Sequence, residues 1–346
     1  MKKLLVLSLM ILVAMFFLAG CGGNGGGDAG GGTTDAEEEV FMLRIGGTVP
    51  DEHPITIAMR SFADDLNERS GGRIEASVFP NNQVAAGREL FEGVQVGNLQ
   101  MAENSIAVLA AFTEQYLPLS LPFLFPSREV AYAFADGPLG QELAELVAEE
   151  TGMRVLAYFE NGIRQVTNST RPIVEPADFN GIKIRVMDSP IFIRMFEAMG
   201  AQPMPMSFAE VFTALQQGTI DAQDNPFTIV RTNNFYEVQS YITNLSHVFD
   251  FTTVVINDEF FQSLPADLQE LLLDAMADAT ALQRELSIQA EQDNLAYLRD
   301  LIEVTELTPA ERQAFRDVSE PVYDWFRETH GGEMLDRILA EIARLS

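Results

Sequence analysis

Arg164 and Arg185 are the residues whose type and placement most readily do chemistry in this chain. Arg185 lies in the alternating run Gly181-Ile182-Lys183-Ile184-Arg185-Val186, and Arg164 follows Phe159-Glu160-Asn161-Gly162-Ile163. A guanidinium presents a planar fork of donors that matches a carboxylate through two parallel hydrogen bonds. Two such forks near strand ends read as a site for an organic anion. Equally, either could pair with a neighbouring acid and hold a loop. His53, ahead of Pro54 at a helix start, divides the same way between ligand contact and helix cap. A further pair of polar positions comes from an internal echo: residues 94–104 align without gaps on residues 215–225. Each copy ends a helix with Gly, enters a short strand and finishes acid-Asn, as Glu103-Asn104 and Asp224-Asn225. Ligands of open α/β sheets bind beyond the carboxyl ends of strands, so both pairs are placed to face one cleft.

Other constellations are weak. The histidines, His53, His247 and His330, fall in no metal spacing, and Cys21 is the single cysteine. No Gly-x-Ser-x-Gly elbow occurs, and the glycines at 22–32 precede no strand, so neither a serine hydrolase nor a phosphate loop is indicated. No metal and no cofactor is expected. Paired carboxylates of a secreted carbohydrate-active enzyme have no fixed spacing, and 51 acidic residues leave that alternative open.

The elements that must position these residues alternate between strand and helix. Strands are predicted at 41–47, 73–79, 100–103, 153–159 and 182–186. Helices are predicted at 55–69, 87–96, 127–150, 190–199 and 207–217, the first with Ile55, Met59, Phe62 and Leu66 on its inner face. Such alternation argues for parallel sheets with crossovers. Beyond Asp258 the pattern turns helical. No breaker interrupts 266–303, a helix of more than about 50 Å, long enough to span two small domains. The rest, 310–346, reads as helix broken at Pro321 and at Gly331-Gly332.

The N-terminus sets the compartment. Lys2 and Lys3 precede an apolar run from Leu4 to Leu18, too short for a comfortable membrane span but right for a signal peptide. It ends Leu18-Ala19-Gly20-Cys21, which resembles a lipobox, so Cys21 is the expected lipidation site and new N-terminus. Residues 21–40, glycine-rich and then acidic, read as a tether with a reach of roughly 23 Å. Composition agrees with an external protein. The 346 residues carry 51 acids against 22 Lys and Arg, a net charge of −29, and 47% are hydrophobic. Nucleic acid is excluded as a partner, because phosphate contacts need clustered cations. Lys183 is the sole lysine past Lys3, and an acid-rich, lysine-poor surface suits concentrated salt, where screening quenches self-repulsion.

From about Met42 to about Pro321 the chain resembles the DctP-type solute-binding proteins of TRAP (tripartite ATP-independent periplasmic) transporters. The motifs that carry the resemblance occur in order. They are Asp51-Glu52-His53-Pro54, Phe79-Pro80-Asn81-Asn82-Gln83, Leu121-Pro122-Phe123-Leu124-Phe125, Glu160-Asn161-Gly162-Ile163-Arg164 and Lys183-Ile184-Arg185-Val186-Met187. Then come Pro203-Met204-Pro205-Met206-Ser207-Phe208-Ala209-Glu210-Val211, Ala214-Leu215-Gln216-Gln217-Gly218, Asp224-Asn225-Pro226 and Phe235-Tyr236-Glu237-Val238-Gln239.

The resemblance implies a two-lobed α/β periplasmic-binding-protein fold (type II-like) with hinge strands and a long helix spanning both lobes. Lobe I would be 41–161 plus 250–289, and lobe II 162–249 plus 290–346, after a signal peptide at 1–20. It implies a non-enzymatic, monomeric protein that closes on an organic acid and delivers it to TRAP membrane subunits. A ligand-responsive sensor would use the same parts. By the same resemblance Arg185 forms the main ion pair with the carboxylate, Arg164 assists, Asn225 contacts ligand and Phe208 packs on it. Glu103 matches a polar site residue, and it and His53 would bond sugar hydroxyls. Ile106 stands where sialate binders carry Arg, and the Glu-His-Pro and Glu-Asn-Gly segments favour sugar acids such as uronates or aldonates. C4-dicarboxylates are the alternative.

Overall fold

The computed structural model describes residues 39–346; the signal segment, Cys21 and all but the end of the tether lie outside the described residues. The strands are β1 (Phe41–Gly46), β2 (Ile74–Phe79), β3 (Met101–Ser105), β4 (Met153–Ile163), β5 (Gln165–Asn168), β6 (Lys183–Val186), β7 (Gln202–Pro205), β8 (Ala222–Asn225), β9 (Tyr241–Asn244), β10 (Phe249–Asn257) and β11 (Glu303–Glu306). They form a five-stranded sheet in the order β2-β1-β3-β10-β4 and a six-stranded sheet in the order β11-β9-β5-β8-β6-β7.

Local sequence explains the first unit. In β1, Leu43 and Ile45 point into the core, and the helix Pro54–Arg69 returns over it with Ile55, Met59, Phe62 and Leu66 buried. Pro54 pre-sets the first turn. Gly71 and Gly72, at φ +65° and +88°, make the turn into β2 that a side chain would strain. β1 pairs in parallel with β2 and β3. The sheets are mixed rather than parallel, however. β10 runs antiparallel between β3 and β4, and β5 antiparallel between β8 and β9.

The two sheets are tied by continuous backbone. β4 passes into β5 with only Arg164 between them, and the segment 245–248 leads from β9 into β10. Gly162 (φ +129°) lies inside β4 and lets the strand bend past Pro226. A Cβ at Gly162 would stand 2.8 Å from the proline ring.

The long helix Ala266–Arg299 is the third tie. Leu268, Leu272, Ala275 and Met276 are buried with the Pro54–Arg69 helix and β1. Further along, Gln283 exchanges hydrogen bonds with the β4 backbone, accepting from Glu160 N (2.8 Å) and donating to Glu160 O (2.7 Å). Asn294 then bonds Thr228 (3.0 Å) and Arg231 (2.8 Å) beside the second sheet.

Three expectations about helices change. The run at 127–150 is two helices, Arg128–Asp136 and Pro138–Thr151, because Gly137 ends one and Pro138 starts the next. The run at 207–217 opens as a tighter turn at Phe208–Glu210 before the helix Val211–Gln216. Pro321 does not break its helix, which runs unbroken over Pro309–His330. Buried Phe315, Val322 and Phe326 hold it through the missing hydrogen bond. The last helix, Glu333–Leu345, departs from a second-lobe assignment: Leu335, Ile338 and Ile342 pack with Val130, Phe134 and Leu143 beside the first sheet.

Candidate functional site

Between the sheets lies a cavity of about 340 Å³, within the range of small-molecule sites. Its wall on the first-sheet side includes Thr48, Val49, Gly87, Asn104 and Ser105, and on the second-sheet side Arg185, Met206, Ser207, Phe208 and Asn225. Asn161 and Arg164 line it where β4 crosses between the sheets. Much of the lining is apolar, with Val108, Ala111, Met187 and Ile229.

Arg185 is almost fully buried, 3% exposed, yet it makes no ion pair among the described residues. Its Nε (3.1 Å) and Nη2 (2.9 Å) both donate to the carbonyl oxygen of Met206. The Phe208 ring lies beneath the guanidinium, 5.8 Å to the centroid. The remaining N–H groups, all of Nη1 among them, have no partner among the described residues. Burial and then the nearby Arg164 charge push Arg185 down to about 10, so it stays cationic at neutral pH. This is a desolvated cation with donors to spare.

Arg164 is different. Its Nε bonds Asp224 Oδ2 (2.6 Å), its Nη1 bonds Asp250 Oδ2 (2.7 Å), and its Nη2 bonds the Asp224 carbonyl oxygen. Asp250 in turn accepts from Ser105 Oγ (2.9 Å) and Asn161 Nδ2 (2.7 Å), so one guanidinium ties together β3, β4, β8 and β10. Burial opposes the charge, but the two carboxylates hold Arg164 above the ordinary arginine range. Burial likewise opposes ionisation of Asp224, and Arg164 and His247 overcome it to hold that carboxyl low. Of the two uses open to Arg164, pairing with acids is the one realised, while its edge still lines the cavity.

The echo brings one residue of each copy to the cavity, and in both it is the asparagine. Asn225 lines the wall with its Nδ2 on Gln223 Oε1 (2.5 Å), and Asn104 lines it with its Nδ2 on Gly87 O (3.1 Å). The acids turn away. Glu103 accepts from the Thr48 backbone N–H (2.6 Å) and Thr48 Oγ1 (3.3 Å) behind the wall. His53 is an N-cap: its Nδ1 accepts from Ile55 N (3.2 Å), and burial drives the ring down to about 3, leaving it neutral. Neither Glu103 nor His53 is among the lining residues, whereas Arg164, Arg185, Asn225 and Phe208 are. Asn104 is at the cavity as the acid-Asn echo places it, whereas Ser105, Asn161 and Ser207 line it without having been singled out in the sequence. Among the described residues no cluster of His, Cys, Asp and Glu is arranged to hold a metal ion.

Glu103 makes stability depend on pH. Burial raises its carboxyl from 4.5 to about 8, so between those values the folded chain holds a proton that the unfolded chain has released. Stability then falls as pH rises through this window, by up to about 1.4 kcal/mol per pH unit for one proton. Glu103→Gln keeps an acceptor for Thr48 and removes the titration. Urea denaturation of both chains from pH 5 to 8 at fixed salt should give a flatter profile for the variant. Parallel profiles would mean that Glu103 is ionised in the folded chain.

The model of "bacterial extracellular solute-binding protein, family 7" (DctP) matches residues 45–329. The chain is 35% identical over 286 residues to the 2,3-diketo-L-gulonate-binding periplasmic protein YiaO of Escherichia coli, covering 82% of this chain and 86% of that one. Among solved structures it is similar to the sugar acid binding protein of Advenella mimigardefordensis in complex with galactonate. The TM-score is 0.86 at 31% identity, over 89% of this chain and 99% of that one. It is also similar to a TRAP periplasmic solute-binding protein of Shewanella oneidensis with bound succinate, at TM-score 0.84 and 30% identity over 88% and 99%. Among the described residues no helix is long and apolar enough to cross a membrane.

Proposed function

The chain belongs to bacterial extracellular solute-binding protein family 7, the DctP family, and from that premise we propose that it captures a sugar acid, an aldonate or uronate, for a TRAP transporter. The supporting observation is Arg185, a buried cation with unused donors on the cavity wall. A ligand carboxylate would take those donors end-on, with Phe208 against the ligand. Low local dielectric strengthens such a pair once water is excluded. Arg164, the other buried cation of the lining, is already held by Asp224 and Asp250, and Arg88, Glu89 and Asp188 are exposed, while Asn104, Ser105, Asn161, Asn225 and Thr252 are neutral. One buried cation with unused donors, beside several neutral donors and acceptors, fits one carboxylate followed by hydroxyls. Closure would bend the chain at Arg164 and at 245–248, the two places where strands pass between the sheets. Asn225 would contact the ligand. Glu103 and His53 would act from behind the wall through Thr48 and the helix start. The reading involves no turnover, and Cys21 would carry the lipid that keeps the protein at the membrane beside its permease.

A second reading is a C4-dicarboxylate. Arg88 also lines the cavity and would meet a second carboxylate, although it is already paired with Glu92 (2.9 Å).

The test is a thermal-shift panel of galactonate, glucuronate, succinate and a neutral hexose against residues 40–346 in molar salt. A ligand at 100 times its Kd adds about 2.7 kcal/mol, visible as a rise in Tm. Shifts with the acids and none with the hexose are expected. An equal shift with the hexose would overturn the carboxylate reading.

A further inference from the structure

The loop that holds Arg185 continues into a hydroxyl with no partner. Ser207 follows Met206, whose carbonyl oxygen accepts both hydrogen bonds from Arg185. Ser207 Oγ is buried and has no hydrogen-bond partner among the described residues. Of the buried polar atoms in that condition, it is the one that belongs to the cavity wall. A buried hydroxyl left unpaired costs free energy that a bound group can recover.

The direction from which that group must come is restricted. Across from Ser207 stands Gly87, and a Cβ there would lie 3.4 Å from Ser207 Oγ. Gly87 adopts φ +55°, which favours glycine, and Asn104 holds its carbonyl oxygen at 3.1 Å. The two walls therefore meet at Ser207 and shut solvent out. A partner for the hydroxyl reaches it when these two walls part to admit a ligand to the cavity.

We infer that Ser207 selects 2-hydroxy acids: with a carboxylate on Arg185, its Oγ bonds the hydroxyl on the neighbouring carbon of the ligand. The inference rests on the carboxylate reading above. Its chemistry follows from chain geometry, because Ser207 is one residue beyond the carbonyl that orients the guanidinium. Aldonates and 2-hydroxy dicarboxylates carry the required group, and succinate does not.

Titration calorimetry with two matched pairs, gluconate against 2-deoxygluconate and malate against succinate, separates the possibilities. The parent chain should prefer the hydroxylated member of whichever pair binds by about tenfold. Ser207→Ala should weaken that member alone, bringing the ratio near one, and Ser207→Thr should restore part of the preference. Equal weakening of both members, or an unchanged ratio, would overturn the role of Ser207 while leaving carboxylate binding intact. Binding of none of the four acids by the parent chain would overturn the carboxylate reading and this inference with it.

Discussion

Arg185→Met binds galactonate, or whichever acid the panel identifies, roughly thirty- to several-thousandfold more weakly than the parent chain. The range corresponds to about 2–5 kcal/mol, the cost of leaving a charge buried without its partner. Methionine keeps most of the stem volume and removes the fork, so the loss reports on charge and donors rather than on a collapsed wall. Arg185→Lys also loses affinity, because an ammonium cannot present parallel donors to a carboxylate while also bonding Met206 O.

Stability moves the other way. The Arg185 cation is buried without a carboxylate partner in the ligand-free chain, and replacing such a group by an apolar one is often neutral or stabilising. Calorimetric titration should therefore show the loss of binding, while the ligand-free variant melts no lower than the parent. Undiminished affinity would remove Arg185 from the site.

The second large effect falls on stability. Arg164→Met strands the buried carboxylates of Asp224 and Asp250, which its guanidinium contacts at 2.6 and 2.7 Å. Removing one member of a buried ionic group costs about 3–5 kcal/mol, a Tm loss on the order of 10 °C for a domain of this size. The pH dependence of the Asp224 contribution also changes sign. In the parent, Arg164 helps hold Asp224 below its unfolded value of 3.8, so that contribution is present above pH 4 and is lost on acidification. In the variant burial of Asp224 is unopposed by that cation, its carboxyl is drawn toward the protonated form, and stability recovers as pH falls from 7 toward 5 by more than the Glu103 proton gives the parent. Denaturant titrations at the two pH values check this, with Arg164→Lys expected between parent and Met. A variant that loses ligand affinity at unchanged stability would make Arg164 a ligand group first.

The residues that could be read in sequence are those whose logic is local. The alternation of 182–186 puts Ile184 in the core and Arg185 at the cavity. The echo places two asparagines at equivalent strand ends, and the absence of a breaker announces the long helix. Gly137-Pro138 was a legible stop and start inside what reads as one helix. What could not be read depends on partners far along the chain. Arg164 meets Asp224 and Asp250 at separations of 60 and 86 residues, so nothing near it reveals that its fork is already engaged. Glu103 is drawn behind the wall by Thr48, 55 residues before it. His53 is a mixed case. The cap was one of its two local readings, but the burial that keeps it neutral comes from tertiary packing.

The place of β10 governs when the molecule can fold. It lies between β3 and β4, so β4 is cut off from the rest of the first sheet until that strand is made. Ser105 and Asp250, bonded across the β3–β10 pair, are 145 residues apart. At about 5–20 residues per second, the ribosome needs on the order of ten seconds to supply the missing strand. The helix that covers Val130 and Phe134 comes about 200 residues after them in the chain. The N-terminal half therefore leaves the ribosome unable to complete its own core. Over that interval the free edges of β3 and β4 are open to pairing with other chains, so the wait for β10 is the period in which the growing chain is most exposed to misassembly.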